Sequence, residues 1–589
     1  MVGAMALSET QTIGRSPERA IPTRLGALIF QLKVNVFRAR RFAGEFGRAP
    51  KRLARGEAAA FAAVIAEARS FLWSDPDAAE RALQWGKVQN LRAAARLLDR
   101  TVLNQGAVFS FWRQMGRAST RRGFVKGRML QAGCLVPATG GGLCQLSKAL
   151  YEVALDADCV IVERHGHSRR VPGSRTTEGR DATVAWNYVD LRFAARRTLM
   201  LRVKVEGDEL VVQLAAQEAA DGLRAPDDSR AARSPAETDA AHSCGSCART
   251  TCFRHEGQLQ APVGRTAFLV DENWPELRGY VAATRKEDDV LALPLDGARW
   301  RAARYAWPTE GFARVMPATA TAVARSLALR FAKDGPQRRA AELRGAEALA
   351  RKLSRALTPD VTDVCVAQSL LPHLWRDGHL GGRHVTVLMT RMPMAQIQKR
   401  LDAAAATHPE RRTLADFRAD PALVAAETQA LAAAAKIVTP HVEIAALFGE
   451  RAVLLDWVRP PARRGDGGRA IAFVGPTIAR KGAYEVRDAA RALDLEIVLL
   501  GSALEGSGFW SGVRTRRPDP ANWLHGVAAV VQPALLEDAP RRLLAALAAG
   551  VPVIATRACG LPQQEGLTLV PAGDADALIA ALNQRVSQR

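Results

Sequence analysis

The sequence predicts a multidomain chain: an α+β domain followed by a pair of α/β domains, each built on a parallel sheet. Three observations point to this. The chain has 589 residues, of which 48% are hydrophobic and 24% charged. That is normal for globular protein and too long for one core, so several domains are expected. Residues 23–210 mix helical and strand patterns without a repeating order. From residue 263 onward, short apolar runs alternate with Ala-rich helical stretches. Such alternation is the mark of βα units, which form parallel sheets with helices on both faces.

Taken in order, residues 1–22 are polar and aperiodic, and are expected to be disordered. Between 24 and 41, Leu25, Leu28, Ile29, Leu32 and Val36 recur at helical spacing, interleaved with or followed by Lys33, Arg38, Arg40 and Arg41. This is a basic amphipathic helix, which either docks on its own domain or makes peripheral contact with an anionic membrane surface. Docking is the expectation. Residues 77–101 and 145–157 read as helices, and 106–112 as a turn entering a strand. Residues 160–163, 182–189 and 199–205 read as strands.

Residues 211–262 have linker composition, interrupted by a cysteine cluster. Strands are expected at 266–270, 361–369, 384–389, 436–439 and 452–455. After an Arg- and Gly-rich break at 459–469, a second block begins. It carries strands at 471–474, 495–500, 527–532 and 551–555, with helices at 483–493 and 540–549. The blocks 263–458 and 470–589 therefore read as two Rossmann-like halves facing a cleft. No G-x-G-x-x-G fingerprint accompanies them, which argues against a dinucleotide oxidoreductase.

The net charge is +22. Arg and Ala abound along the whole chain, so the charge reads as background composition, and no specific nucleic-acid partner is expected. No apolar run approaches the roughly 20 residues of a membrane span. No secretory leader pattern is visible, so the expected location is cytoplasmic, with the inner membrane face as a peripheral site.

Chemistry-bearing residues fall in three constellations. The first starts at Gly140-Gly141-Gly142-Leu143-Cys144-Gln145, just before a helical pattern. A thiol at a helix start is held in a field that favours thiolate. His165 and His167 follow in a strand-like run, where alternation would place them on one face. Asp181 opens the next expected strand. Nucleophile, base and orienting acid are what covalent acyl chemistry needs, and the order is similar to that of transglutaminase-like enzymes. Two other readings stay open: a metal shared by Cys144, His165 and His167, or a glycine turn with a buried thiol and hydrogen-bonded imidazoles.

Several of these motifs together resemble the VanW family. The matching runs are Phe109-Ser110-Phe111-Trp112, Arg122-Gly123-Phe124, Gly140 to Gln145, Glu163 to Ser168, Ala182-Thr183-Val184, and Asn187 to Phe193. The resemblance spans about residues 23–210. It implies an association with cell-wall or glycopeptide-antibiotic stress, and no defined reaction.

The second constellation is Cys244, Cys247, Cys252 and His255, spaced C-x2-C-x4-C-x2-H. Three thiolates and an imidazole suit a closed tetrahedral structural zinc site. Iron–sulfur ligation and unliganded thiols are the alternatives.

The third constellation lies in the last block. Gly475 follows an apolar strand, Lys481-Gly482 precede a helix, Glu537 sits at a strand exit, and Gly560 lies in a loop after another strand. Glycines let a ligand approach the backbone, a lysine neutralises phosphate, and an acid binds sugar hydroxyls. With Phe473-Val474-Gly475 and Ala548 to Thr556, these residues resemble the C-terminal domain of group 1, GT-B glycosyltransferases. The resemblance extends over about 263–589, including Glu427 to Pro440. It implies donor binding at Gly475, Lys481, Glu537 and Gly560. The sequence departs from the family at Pro476, where an Arg is usual, at Ala545, where the second acid would stand, and at Gln563.

Arg391, Pro393, His373, Asp416 and Arg418 are candidate acceptor contacts in the first half, and Asp574 and Asp576 read as helix-capping acids.

The resulting expectation is transfer of a sugar from a nucleotide-diphosphate donor to a glycan or lipid-linked envelope acceptor. A non-catalytic accessory or binding role, and Cys144-dependent acyl transfer or amidase chemistry, are the alternatives.

Overall fold

The computed structural model describes residues 22–73, 80–131, 134–167, 180–218, 252–253, 263–461, 465–506, 508–519 and 522–586. It divides into two compact units, one of residues 1–203 with 211–262 and one of 204–210 with 263–589. The expected disorder of residues 1–22 falls almost wholly outside the described residues.

In the first unit, the helix Arg24–Glu45 starts at Thr23, whose hydroxyl accepts from the Gly26 N–H. Its charged side docks on the unit. The Arg41 guanidinium forks onto both oxygens of Glu163 at 2.7 Å, and Arg38 Nε donates to the Trp186 carbonyl at 3.1 Å. Its apolar stripe does not dock: Leu25, Leu28, Ile29, Leu32 and Val36 stay exposed, and among described side chains of the helix Val34 alone is buried. The helix Arg81–Leu98 is buried along most of its length.

A four-stranded sheet orders Ala63–Phe71, Glu209–Ala216, Leu199–Glu206 and Thr101–Leu103. The strand Glu209–Ala216 occupies the first residues of the segment whose composition suggested a linker. A three-stranded sheet orders Val108–Ser110, Arg192–Ala194 and Val160–Glu163, and Lys126–Gln131 pairs with Cys134–Thr139.

Two expected elements differ. The strand at 106–112 ends at Ser110, whose hydroxyl caps the short helix Phe111–Met115. Residues 182–189 are not a strand: Ala185 and Val189 bridge across a turn with Asn187 at φ 60°. An asparagine tolerates this left-handed conformation better than most residues, so the turn interrupts what β-propensity alone would extend.

Asp190 is the polar knot of this unit. Buried at 1% exposure, it accepts from Ser110 Oγ at 2.6 Å, Trp112 N at 3.1 Å and Leu191 N at 3.0 Å, and pairs with Arg192 at 2.9 Å.

The second unit contains two parallel sheets. The first orders Arg314–Pro317, Val290–Leu293, Arg265–Leu269, Val361–Ala367, His384–Leu388, Lys436–Thr439 and Ala452–Leu454. The second orders Thr515–Arg516, Ile497–Leu499, Gly468–Phe473, Gly526–Gln532, Val553–Ala555 and Leu567–Leu569. Numbered along the chain within each sheet, both begin 3-2-1-4-5-6, the doubly wound order. Its direction of winding reverses between the first and fourth strands, which leaves a crevice at their carboxyl ends.

The two halves pack on each other. Ala479 and Leu536 of the second half lie within the first half's hydrophobic cluster. Arg541 forks onto the buried Glu276 at 2.6 Å per bond and lies over the rings of Trp274 and Trp457.

Replacing Asp190 with Ala leaves Arg192 with Glu45 and Glu163 as its remaining carboxylates and strands the N–H groups of Trp112 and Leu191. We expect Asp190→Ala to cost about 1–3 kcal/mol for each stranded group, read as a lower urea midpoint of the full chain.

Candidate functional site

In the first unit the glycine loop is shaped by close packing. Asn90, fully buried, donates to the Gly141 carbonyl at 2.9 Å and to the Val125 carbonyl at 3.0 Å, and accepts from the Val125 N–H at 2.8 Å. Gly142 has φ 96°, and a Cβ there would stand 2.2 Å from Lys87 Cγ. Only glycine fits both constraints. The loop delivers Leu143 and Cys144 as the first two residues of the helix Leu143–Asp156. The N–H groups at these positions have no acceptor within a helix.

Cys144, His167 and Asp181 meet at this helix start. His167 Nδ1 lies 3.0 and 2.9 Å from the two Asp181 oxygens, and the His167 N–H donates to Asp181 at 2.7 Å. The same ring lies close enough to the Cys144 thiol to influence its ionisation. Thr183 Oγ1 stands 3.1 Å from Cys144 Sγ.

Burial opposes ionisation of Cys144, but hydrogen bonds with His167 and Thr183 outweigh it and hold the thiol below its ordinary range. The bond to Cys144 is the largest cause that pushes His167 up to about 9, with burial opposing and Asp181 adding to the rise. Burial raises Asp181, yet hydrogen bonds from His167 bring it below the usual carboxylate value. The arrangement sets a thiol, an imidazole and a carboxylate side by side.

His165 is not part of this group. The strand ends at Glu163, so alternation stops before the histidines, and His165 Nε2 turns back to Glu163 at 3.2 Å. The metal reading of Cys144, His165 and His167 fails for the same reason, and among the described residues no three His, Cys, Asp or Glu side chains form a metal-binding group. Thr183 was not anticipated. Its signal in the sequence was its position two residues after Asp181.

Of the cysteine cluster, Cys244, Cys247 and His255 lie outside the described residues, and Cys252 lies within them.

In the second unit, Gly475 and Glu537 follow the first and fourth strands of the second sheet, at the winding reversal. Lys481 Nζ donates to Glu537 Oε2 at 3.1 Å and to the Leu536 carbonyl at 2.8 Å. Gln532 Nε2 also reaches Glu537 at 3.2 Å, and the Ala539 N–H donates to its other oxygen at 3.1 Å. Gly475 packs against Gln532 and Lys481.

Gly560, at φ 65°, lies under the ring of His441, where a Cβ would stand 2.2 Å from the ring. His441 comes from the first half. Its Nδ1 accepts from Ile444 N at 3.3 Å, and its Nε2 donates to the carbonyls of Ala558 at 3.2 Å and Glu537 at 3.3 Å. Burial lowers its pKa and keeps the ring neutral for this two-sided bond. Gly475, Lys481 and Glu537 are thus neighbours, and His441, which the sequence reading did not single out, links the Glu537 loop to the Gly560 loop.

Arginines gather beside it. The guanidinium groups of Arg339, Arg391 and Arg480 lie 4.1, 5.6 and 4.9 Å from the Phe417 ring centroid. Arg391 pairs with Asp538 at 2.9 Å, whereas Arg480 has no ion-pair partner among the described residues. Of the other candidates, Asp574 caps the helix Ala575–Val586 through Ala577 N at 2.8 Å, and Arg418 pairs with Asp402. His373 is buried with neither ring nitrogen hydrogen-bonded.

Fold and sites define a composite chain in which an α+β domain bearing a thiol centre precedes a doubly wound α/β pair bearing a cation–carboxylate crevice. Comparison with known proteins agrees in both parts. The family model described as "VanW like protein" matches residues 86–215, and the one described as "Glycosyl transferases group 1" matches residues 471–588. Residues 86–215 are thus VanW-like, and residues 471–588, which hold the second doubly wound sheet, are similar to group 1 glycosyl transferases.

Uncharacterized protein YoaR of Bacillus subtilis is 32% identical over 127 residues, which cover 21% of this chain and 41% of that protein. Vancomycin B-type resistance protein VanW of Enterococcus faecalis is 35% identical over 112 residues, covering 18% and 41%. The chain spans about two fifths of the length of these relatives. Among solved structures, sucrose-phosphate synthase of Thermosynechococcus elongatus aligns at 14% identity and TM-score 0.36, over 55% of this chain and 90% of that one.

Burial pushes the His373 pKa down to about 4, assisted by Arg376 and Arg351 and opposed by Glu347. Between pH 6.5 and about 4 the unfolded chain takes up a proton that the fold refuses, so this contribution is present above pH 6.5 and lost as pH falls to 4. We expect the melting temperature to fall across that window, and His373→Leu to flatten the decline.

Proposed function

We propose that the second unit transfers a sugar from a nucleotide-diphosphate sugar to an acceptor hydroxyl, with the donor held at Gly475, Lys481, Glu537 and Gly560. The observation that carries this reading is the 3.1 Å meeting of Lys481 and Glu537 at the winding reversal of the second sheet. Open α/β sheets bind ligands there. The group 1 match over 471–588 supports the same donor class.

Glu537 is held in place by Lys481, Gln532 and the Ala539 N–H, which fixes it for hydrogen bonds to sugar hydroxyls. Arg480 adjoins Lys481 in the chain and stacks on Phe417. In this reading it supplies the second cation that Pro476 does not. Lys481 and Arg480 would stabilise the charge that develops on the departing diphosphate, and the Gly475 and Gly560 loops let it lie against backbone. Catalysis would then come from positioning and charge stabilisation.

The acceptor is proposed as an envelope-related glycan or lipid-linked saccharide, reaching the crevice past Arg391 and Asp538. The exposed stripe Leu25, Leu28, Ile29, Leu32 and Val36, with Lys33 and Arg40 on the same helix, supports peripheral contact with an anionic membrane. No helix among the described residues is long and apolar enough to cross a membrane. The C-x2-C-x4-C-x2-H run supports a structural zinc ion by donor type and spacing.

A panel of nucleotide sugars in a thermal-shift assay tests the donor site. At 100 times its Kd the correct donor should add about 2.7 kcal/mol of stability. Lys481→Met and Glu537→Gln should each weaken binding by about 1.5–3 kcal/mol, roughly ten- to 150-fold in Kd. Absence of a shift with every donor sinks the proposal, and binding without transfer makes the unit a sensor.

Sedimentation with vesicles tests the helix. The chain should bind phosphatidylglycerol vesicles and leave phosphatidylcholine ones. Leu28→Asp with Leu32→Asp should abolish the binding; equal binding to both lipids by the unaltered chain rejects the contact.

A further inference from the structure

We propose that Cys144, His167 and Asp181 form a second catalytic centre, in the VanW-like domain, which cleaves amide or ester acyl groups through a thioester on Cys144 Sγ. It is separate from sugar transfer and shares no residue with the crevice of the second unit.

The geometry assigns each group a task. Cys144 is partly exposed, at the second residue of a 14-residue helix. His167 Nδ1 lies 2.9 and 3.0 Å from the two Asp181 carboxylate oxygens, and the ring adjoins the Cys144 thiol, which Thr183 Oγ1 meets at 3.1 Å. A carboxylate on Nδ1 fixes the tautomer and ring plane, so Nε2 is the nitrogen that exchanges protons with sulfur and substrate. Asp181 is in turn anchored by the His167 N–H at 2.7 Å, so carboxylate and ring are locked together. A buried free thiol elsewhere in this chain is treated differently: burial raises Cys159 to about 11, and no imidazole is among the causes.

The surroundings fit an acyl substrate. The N–H groups of Leu143 and Cys144 open the helix beside the sulfur, where an oxyanion would form. The turn from Ala185 to Val189 brings Tyr188 into electrostatic range of Cys144, with Trp186 edge-on to Trp112 at 5.3 Å. Phe37 stacks on Tyr188 at 6.4 Å and Arg38 lies 5.9 Å from the same ring centroid. Arg164 donates to the Asp181 carbonyl at 2.7 Å, leaving the Asp181 carboxylate to His167.

The reaction balances without a cofactor. The Cys144 thiolate attacks the carbonyl carbon and an S–C bond forms. The C–N or C–O bond breaks, and the leaving amine or alcohol takes the proton from His167. His167 then removes a proton from water, or from an acceptor amine, which attacks the thioester. A carboxylic acid or a new amide leaves, and the thiol is restored.

The test uses the full chain and follows each cysteine by peptide mass spectrometry. Iodoacetamide alkylation is measured across pH 5–9, with Cys134, a partly exposed strand cysteine, as the internal comparator. The titrating groups that act on the thiol are His167 and Tyr188; Asp181 lies behind His167, Arg38 beside Tyr188, and Arg164 on the Asp181 carbonyl.

We expect Cys144 to react at least tenfold faster than Cys134 at pH 6. We expect Asp181→Asn to move the midpoint of its pH profile upward, and His167→Gln to remove the advantage. With p-nitrophenyl acetate, an acetyl group should appear on Cys144 and be released by water or by added glycinamide, and Cys144→Ser should abolish turnover.

Equal reactivity of Cys144 and Cys134, or a pH profile unmoved by Asp181→Asn, overturns the proposal. Glu537→Gln should keep full thiol reactivity, so failure of the donor site and failure of this one are read apart. Because Asp181 acts through His167, its midpoint shift, rather than any loss of stability, is the decisive reading.

Discussion

One buried amide underlies the thiol centre. Asn90 satisfies the carbonyls of Gly141 and Val125 and the Val125 N–H at once, in a place that water does not reach. Buried backbone polar groups must be paired, so without this side chain the glycine loop would have no stable path. The loop in turn decides where the helix Leu143–Asp156 begins and therefore where Cys144 points. The imidazole and the carboxylate come from segments with no regular structure, held by bonds such as Thr183 N to the His165 carbonyl at 2.8 Å. The centre is built from irregular backbone on a rigid base, which is common for reactive groups.

The second unit obeys a different constraint. Parallel strands need crossovers, and crossovers of one hand force the winding to reverse somewhere in the sheet. Both sheets reverse beside their first strand, so both crevices open at the carboxyl ends. The halves are joined by charged forks and neutral locks. Arg541 holds Glu276, Arg411 holds Glu485 at 2.6 Å, and His441 bridges two loops of the opposite half.

Many of the arginines have local partners. They act as planar forks or as plates on aromatic rings, with Arg41 on Glu163, Arg325 on Asp271 and Arg339 on Phe417 as examples. Guanidinium suits these places because it is rigid, bidentate and weakly hydrated.

The sequence by itself determined the order of the elements, the βα alternation, the helix that starts beside Cys144, and the residues that could carry chemistry. These depend on periodicity, turn residues and residue type, which are local. Tertiary structure decided which of two neighbouring histidines lies with Asp181 beside the thiol. The strand stops at Glu163, so His165 folds back onto Glu163 and His167 turns to Asp181. It also decided that residues 182–189 turn rather than extend, because Asn187 takes a left-handed conformation between Ala185 and Val189.

It alone brought Phe417 and His441 to the neighbourhood of Arg480, Lys481 and Glu537, since these two residues are distant from them in the chain and no short-range pattern links them. It left the apolar stripe of the first helix bare, because the Arg41–Glu163 fork anchors that helix by its charged side. Amphipathic spacing records that a helix has two faces. Which face meets the protein is set by the partners that folding places against it.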